Sequence, residues 1–336
     1  MQCCRRLAGG IPIHAARHPL QLGRKLSECE SFMNNRRSTL VVALVLFASL
    51  ALRGQATLSD VNQRLVDLGG LPRPPALMDG SAPPRPTRIT DDQRPPVILQ
   101  LAKDINSLPP GAAKVKLADG LSHAATQGDP GHDALQAAAD TLAQALSESP
   151  QQPGKDGLPP RPYMDLAKLA RYAQITTSLK DPLLAKADEI LAANQADVAK
   201  ADFTLKDANG KKVTLSALRG KIVLINFWSA ECLPCRNEMT DLDLIYTHYQ
   251  SQGLVILSVV SPTPESLFDM NHYLLGRSYH PPVLLDDKGK IGAMFHIDGV
   301  PRTFVFDRDG KLVAESIDLS TQRQLFGMLA TAGLHP

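Results

Sequence analysis

The segment KIVLINFW at residues 221–228, followed at once by SAECLPC at 229–235, limits the fold more than any other feature of the chain. A continuous apolar run of that length is a strand buried on both faces, the kind found where helices cover both sides of a sheet. A helical pattern then runs from about Leu233 to His248. Two cysteines separated by two residues therefore stand at the step from a central strand into a helix. The first turn of a helix presents unbonded backbone N–H groups and the positive end of its dipole, and both stabilise a thiolate. Cys232, at the helix entry, is the more exposed and is expected to be the nucleophile. Cys235, one turn inside, is expected to attack the mixed disulfide and release the partner.

Other uses of the pair fit less well. Tetrahedral structural zinc needs a second pair of Cys or His at matching spacing. His272 and His280, separated by seven residues across a proline-rich turn, do not supply one, so no metal is expected. A purely structural disulfide across one helical turn closes almost no loop and stabilises little.

The surrounding text alternates strands with helices. FTLKDANGKKVTL reads as two short strands around Asn209-Gly210, a strong hairpin signal. LVILSVV is a further strand, and Pro264 opens a helix carrying Leu267, Met270 and Leu274. PPVLL, TFVF and KLVAE are strands, with a short helix near Ile291–Phe295 and a closing helix around Thr321–Ala332. The last two strands, joined by a turn at Asp309-Gly310, predict an antiparallel hairpin in a layered α/β domain.

The stretch DFTLKDANGKKVTLSALRGKIVLINFWSAECLPCRNEM, with GVPRTFVFDRDG downstream, resembles the TlpA-like and ResA-like exported redoxins of the AhpC/TSA superfamily. These are thiol:disulfide oxidoreductases that include cytochrome c biogenesis reductases. The likeness covers residues from about 201 to 336. It implies a thioredoxin-like fold, a central mixed sheet flanked by helices, with Cys232–Cys235 as a redox-active disulfide and no cofactor. It also implies that Pro301 is the cis-proline beside the cysteines, leaving the Val300 backbone open to strand-like pairing with a substrate polypeptide. The family places an acidic residue at Glu238, three residues after Cys235 and on the same helix face. A partly buried carboxylate there would raise a neighbouring thiol pKa and relay its proton, which makes Glu238 a catalytic candidate beside the two cysteines. The competing reading of Glu238 is an ordinary exposed helix residue. Trp228 either packs under the cysteine loop or contacts substrate. Glu231 departs from the small or aromatic neighbours usual in the family, and its charge opposes thiolate formation. With Glu238 it favours a reductant over a strong oxidant.

Upstream, the 336 residues leave room for a second folded unit at roughly 100–200 residues per domain. Val97, Leu101, Ile105 and Leu108 open a helical region over residues 97–198, of about five helices, with Asp181-Pro182 as a strong N-cap. His123 and His132 within it are read as exposed or capping, and its role is docking or spacing. Residues 57–96 are read as a proline-rich linker, and 199–336 as the thioredoxin-like domain.

The block LVVALVLFASLAL, from Leu40 to Leu52, has a basic flank at Arg36-Arg37 and a small-x-small site at Gly54-Gln55-Ala56. That is the anatomy of an export signal, and starting at Met33 gives it the usual proportions. Residues 1–56 are therefore read as an over-extended start plus a signal peptide or uncleaved anchor, with membrane contact through Leu40–Leu52. Cys3, Cys4 and Cys29 fall in that segment, so Cys232 and Cys235 are the only cysteines after Ala56, a composition suited to an oxidising compartment. A net charge of +2 argues against a nucleic-acid binder driven by phosphate attraction. The expected partners are a disulfide-bearing protein substrate and a membrane thiol-reductant donor, at the periplasmic or outer face of the cytoplasmic membrane. Two competing functions remain. A thiol peroxidase would need the P-x-x-x-T-x-x-C context, which is absent. A tethered adaptor or chaperone would use the helical region.

Overall fold

The sequence expectation of a linker over residues 57–96 does not hold at its start, because Leu58–Gly69 is a helix, α1. Val61, Leu65 and Leu68 recur at helical spacing and are buried, and the dense prolines begin only at Pro72. The computed structural model describes residues 57–69, 89–90, 92–261, 270, 274–275 and 278–335. The signal-like segment, Cys3, Cys4, Cys29, most of the proline-rich stretch and the start of the helix expected from Pro264 lie outside the described residues. Among the described residues no helix is long and apolar enough to cross a membrane.

Five more helices follow: α2 (Arg94–Asn106), α3 (Ala112–Ala125), α4 (His132–Glu148), α5 (Arg161–Tyr172) and α6 (Pro182–Val198). Ile98, Leu101 and Ile105 of α2 are buried, as are Leu121 of α3 and Leu142 and Leu146 of α4, and the three helices contact one another. The buried Arg94 donates to Leu68 O and Ala124 O, carbonyls in the last turns of α1 and α3. A cation there satisfies orphan acceptors and meets the negative ends of two helix dipoles. At the start of α6, Asp181 Oδ1 accepts from Leu183 N at 2.8 Å, and its other oxygen accepts from Tyr163 Oη at 3.0 Å. Asp181→Ala removes both bonds and is expected to cost about 1–2 kcal/mol in urea unfolding. An unchanged midpoint would show that α6 needs no cap.

From Thr204 the chain builds a seven-stranded sheet in the order β2-β1-β5-β4-β3-β6-β7. Its strands are β1 (Thr204–Asp207), β2 (Lys212–Thr214), β3 (Ile222–Trp228), β4 (Leu254–Val260), β5 (Val283–Leu285), β6 (Arg302–Phe306) and β7 (Leu312–Glu315). β3 runs parallel to β4 and antiparallel to β6, and β6–β7 is the expected hairpin. Among the described residues, helices α7 (Leu233–Tyr249), α8 (Lys290–Met294) and α9 (Gln322–Thr331) belong to the α/β layers. Every residue of β3 is buried, as its unbroken apolar text requires.

Side-chain alternation divides β3 between two cores. Val223, Ile225 and Phe227 face a cluster with Phe203, Phe295, Phe304 and Phe306, whose rings meet edge-on or tilted. Ile222 and Leu224 face Leu242 and Ile245 of α7 and Leu325 and Leu329 of α9. Asn226 points to this second side, where the chemistry lies.

Candidate active site

Cys232 and Cys235 form a disulfide at the start of α7. Cys232 is the N-cap: its extended backbone ends the loop from β3, and its sulfur accepts from Cys235 N at 3.1 Å. Pro234 occupies the first turn, where a missing N–H is harmless. The two sulfurs have different surroundings. Cys235 is fully buried in a cluster with Trp228, Ala230, Met239 and Val260, whereas Cys232 lies at the rim beside exposed Leu233. Only Cys232 is open to an incoming disulfide.

The Val300–Pro301 peptide bond is cis, as the family resemblance implied, and Val300 O lies 3.6 Å from Cys232 Sγ. Val300 is 37% exposed, so its backbone borders the accessible face of Cys232. Trp228, on the end of β3, is 2% exposed and packs in the same cluster as Cys235.

Glu238 is not the exposed helix residue of its competing reading. It is 1% exposed, on the same buried face of α7 as Cys235. Its Oε2 accepts from Asn226 Nδ2 at 2.8 Å and its Oε1 from Ser320 N at 2.9 Å. Asn226 Nδ2 also donates to Thr303 Oγ1 at 3.0 Å, across the β3–β6 pair in which the two residues are register partners. Burial is the largest influence on this carboxyl and pushes it up to about 7; the Ser320 and Asn226 donors pull the other way, while Asp241 adds to the rise. A carboxyl near neutrality inside the site can take or give a proton at physiological pH.

Asn226, Thr303 and Ser320 are site residues that sequence reasoning missed. Asn226 had a signal, being the one amide in an otherwise apolar buried strand. Ser320 had none, since it lies 82 residues from Glu238 along the chain.

The AhpC/TSA family pattern matches residues 197–315. The chain is 32% identical over 128 residues to the thiol-disulfide oxidoreductase ResA of Bacillus cereus, covering 38% of this chain and 73% of that protein. It is 34% identical over 112 residues to ResA of Bacillus subtilis (strain 168), covering 33% of this chain and 62% of that one. A putative thiol:disulfide interchange protein DsbE from Chlorobium tepidum is similar in structure at 25% identity and TM-score 0.37, over 39% of this chain and 93% of that one. A C-x-x-C disulfide at a helix start, on the end of the interior strand β3, together with the likeness to ResA, makes this chain a thioredoxin-like thiol:disulfide oxidoreductase. The chain belongs to the AhpC/TSA family.

Proposed function

We propose that this enzyme reduces disulfides in polypeptides on the outer side of the cytoplasmic membrane, reached by export through the segment ending near Ala56. The asymmetry of the sulfurs carries the reading: Cys232 lies at the rim and Cys235 is fully buried. In the reduced enzyme the Cys232 thiolate attacks one sulfur of the substrate disulfide, and the other substrate sulfur leaves as a thiolate. Cys235, losing its proton, then attacks Cys232 Sγ and displaces the first substrate sulfur. Two electrons pass to the substrate, whose two thiolates are protonated from solvent, and the Cys232–Cys235 disulfide forms. Glu238, on the buried face shared with Cys235, serves as the proton acceptor for that second step. A membrane thiol donor restores the dithiol.

Val300, exposed beside Cys232, offers backbone hydrogen bonds to an extended substrate segment. Disulfide reduction during cytochrome c maturation is one setting for this chemistry, and general thiol reduction is the other. Two carboxylates, the buried Glu238 and the exposed Glu231, disfavour thiolates and support a reductant.

Insulin reduction set against peroxide consumption tests the reaction class. The reduced chain is expected to cleave insulin disulfides and leave hydrogen peroxide untouched on the same timescale. Rapid peroxide turnover with no insulin reduction would make it a thiol peroxidase. N-terminal sequencing of the exported protein tests the location, and peptides from residues 1–32 in that material would contradict a start at Met33.

A further inference from the structure

The matched family region begins at residue 197, so α1–α5 are an addition to it. Polar contacts from this addition reach the two segments that border the redox site. On α5, Lys168 and Tyr172 are one turn apart and share a face. Lys168 Nζ bonds Asp298 Oδ2 at 2.6 Å, just before Val300, and Arg302, just after Pro301, stacks over the Tyr172 ring at 4.9 Å. Arg302 is itself buried, and bonds Glu315 at 3.1 Å and Ile317 O at 3.2 Å. The Pro301 loop is thus gripped on both sides by one helix. At the second segment, Thr126, the C-cap of α3, donates to Asp318 Oδ2 at 2.6 Å, and His123 Nδ1 lies 3.5 Å from the same oxygen. Asp318 is two residues before Ser320, whose N–H bonds Glu238.

We propose that α3 and α5 form a positioning clamp for the redox site, α5 fixing the Pro301 loop through Asp298 and Arg302, and the end of α3 fixing the Ser320 segment through Asp318. The first loop enters β6 and the second leaves β7, so the clamp holds both at the same end of the β6–β7 hairpin. Lys168–Asp298 is a partly exposed pair, which contributes little to folding stability. Its effect is on where the loop sits, and a displacement of a substrate-pairing loop lowers reactivity steeply. This inference rests on the roles proposed above for Val300 and Glu238.

The test uses the full chain and two readouts. The first is kcat/KM for insulin divided by kcat/KM for a small aromatic disulfide, which has no backbone to pair with Val300. Lys168→Met is expected to lower this ratio about three- to tenfold, and Lys168→Arg, which keeps the charge, to stay within about twofold of wild type. Asp298→Asn repeats the cut from the exposed loop side should Lys168→Met weaken α5. The second readout is the pH midpoint of Glu238 in oxidised, carbon-13-labelled protein, followed by carboxyl NMR. Thr126→Val loosens the Ser320 donor and is expected to raise the midpoint, whereas Thr126→Ser retains it; Asp241, the other charge acting on Glu238, is untouched in both. A wild-type ratio in both Lys168→Met and Asp298→Asn, or a wild-type midpoint in Thr126→Val, overturns the clamp. Failure of the wild-type chain to reduce insulin removes the functional reading instead, and the Glu238 midpoint then decides the clamp alone.

Discussion

Cys232→Ser is expected to abolish disulfide reduction, whereas Cys235→Ser is expected to retain the first attack and stop there. The difference follows from accessibility. Cys232 is the half-exposed N-cap of α7, bordered by Val300, and Cys235 is enclosed by Trp228, Ala230 and Met239. A serine at 232 cannot form a disulfide, and a sulfur at 235 has no path to the substrate. A serine at 235 leaves the attacking thiol in place but removes the group that resolves the adduct. Stopped-flow measurement of substrate thiol release reads both steps: one equivalent from Cys235→Ser and none from Cys232→Ser. Equal multiple turnover by Cys235→Ser and wild type would reverse the assigned order.

Glu238→Gln is expected to change both the stability and the reactivity of the site, in directions fixed by the buried carboxyl. In the oxidised protein Glu238 is raised from its ordinary 4.5 to about 7, chiefly by burial. The folded state therefore holds this proton more tightly than the unfolded chain. The associated stability is fully present below pH 4.5 and is lost as pH rises through 7. Relative to Glu238→Gln, wild type should lose roughly 3 kcal/mol between pH 4.5 and 8, from about 1.4 kcal/mol per pH unit. Urea unfolding of both proteins at the two pH values measures the difference, and parallel stability curves would contradict a buried, titrating Glu238. In the reduced protein, loss of a nearby anion favours the thiolate, so alkylation rate against pH should move toward acid. Superimposable alkylation curves would separate Glu238 from the thiols.

The redox centre was legible because its signals are local. An unbroken apolar strand, two cysteines at a helix entry and Asn209-Gly210 and Asp309-Gly310 turns each act within a few residues, and β3, α7 and both hairpins formed where those signals lay. Pro301 and Glu238 needed the family resemblance, since a proline after Val300 and a glutamate in a helix have many ordinary uses. The helix at Leu58–Gly69 escaped because the prolines from Pro72 onward dominated the reading of its neighbourhood. What the sequence could not reveal is long-range polar pairing. Ser320 reaches Glu238, Thr126 reaches Asp318 and Lys168 reaches Asp298 across separations of 82, 192 and 130 residues, set by tertiary packing and not by spacing. Asn226 lies between these cases, since an amide inside a buried strand demands a partner but does not name it.

The most direct test of thiol:disulfide exchange through this pair is to locate the bond that it leaves behind. Reduced full-length Cys235→Ser protein is mixed with insulin, quenched with acid and digested without reductant, and the cross-linked peptides are identified by mass. A mixed disulfide between insulin and the peptide bearing Cys232 is the predicted result. Absence of any adduct on Cys232, under conditions where the wild-type chain reduces insulin, would contradict the account.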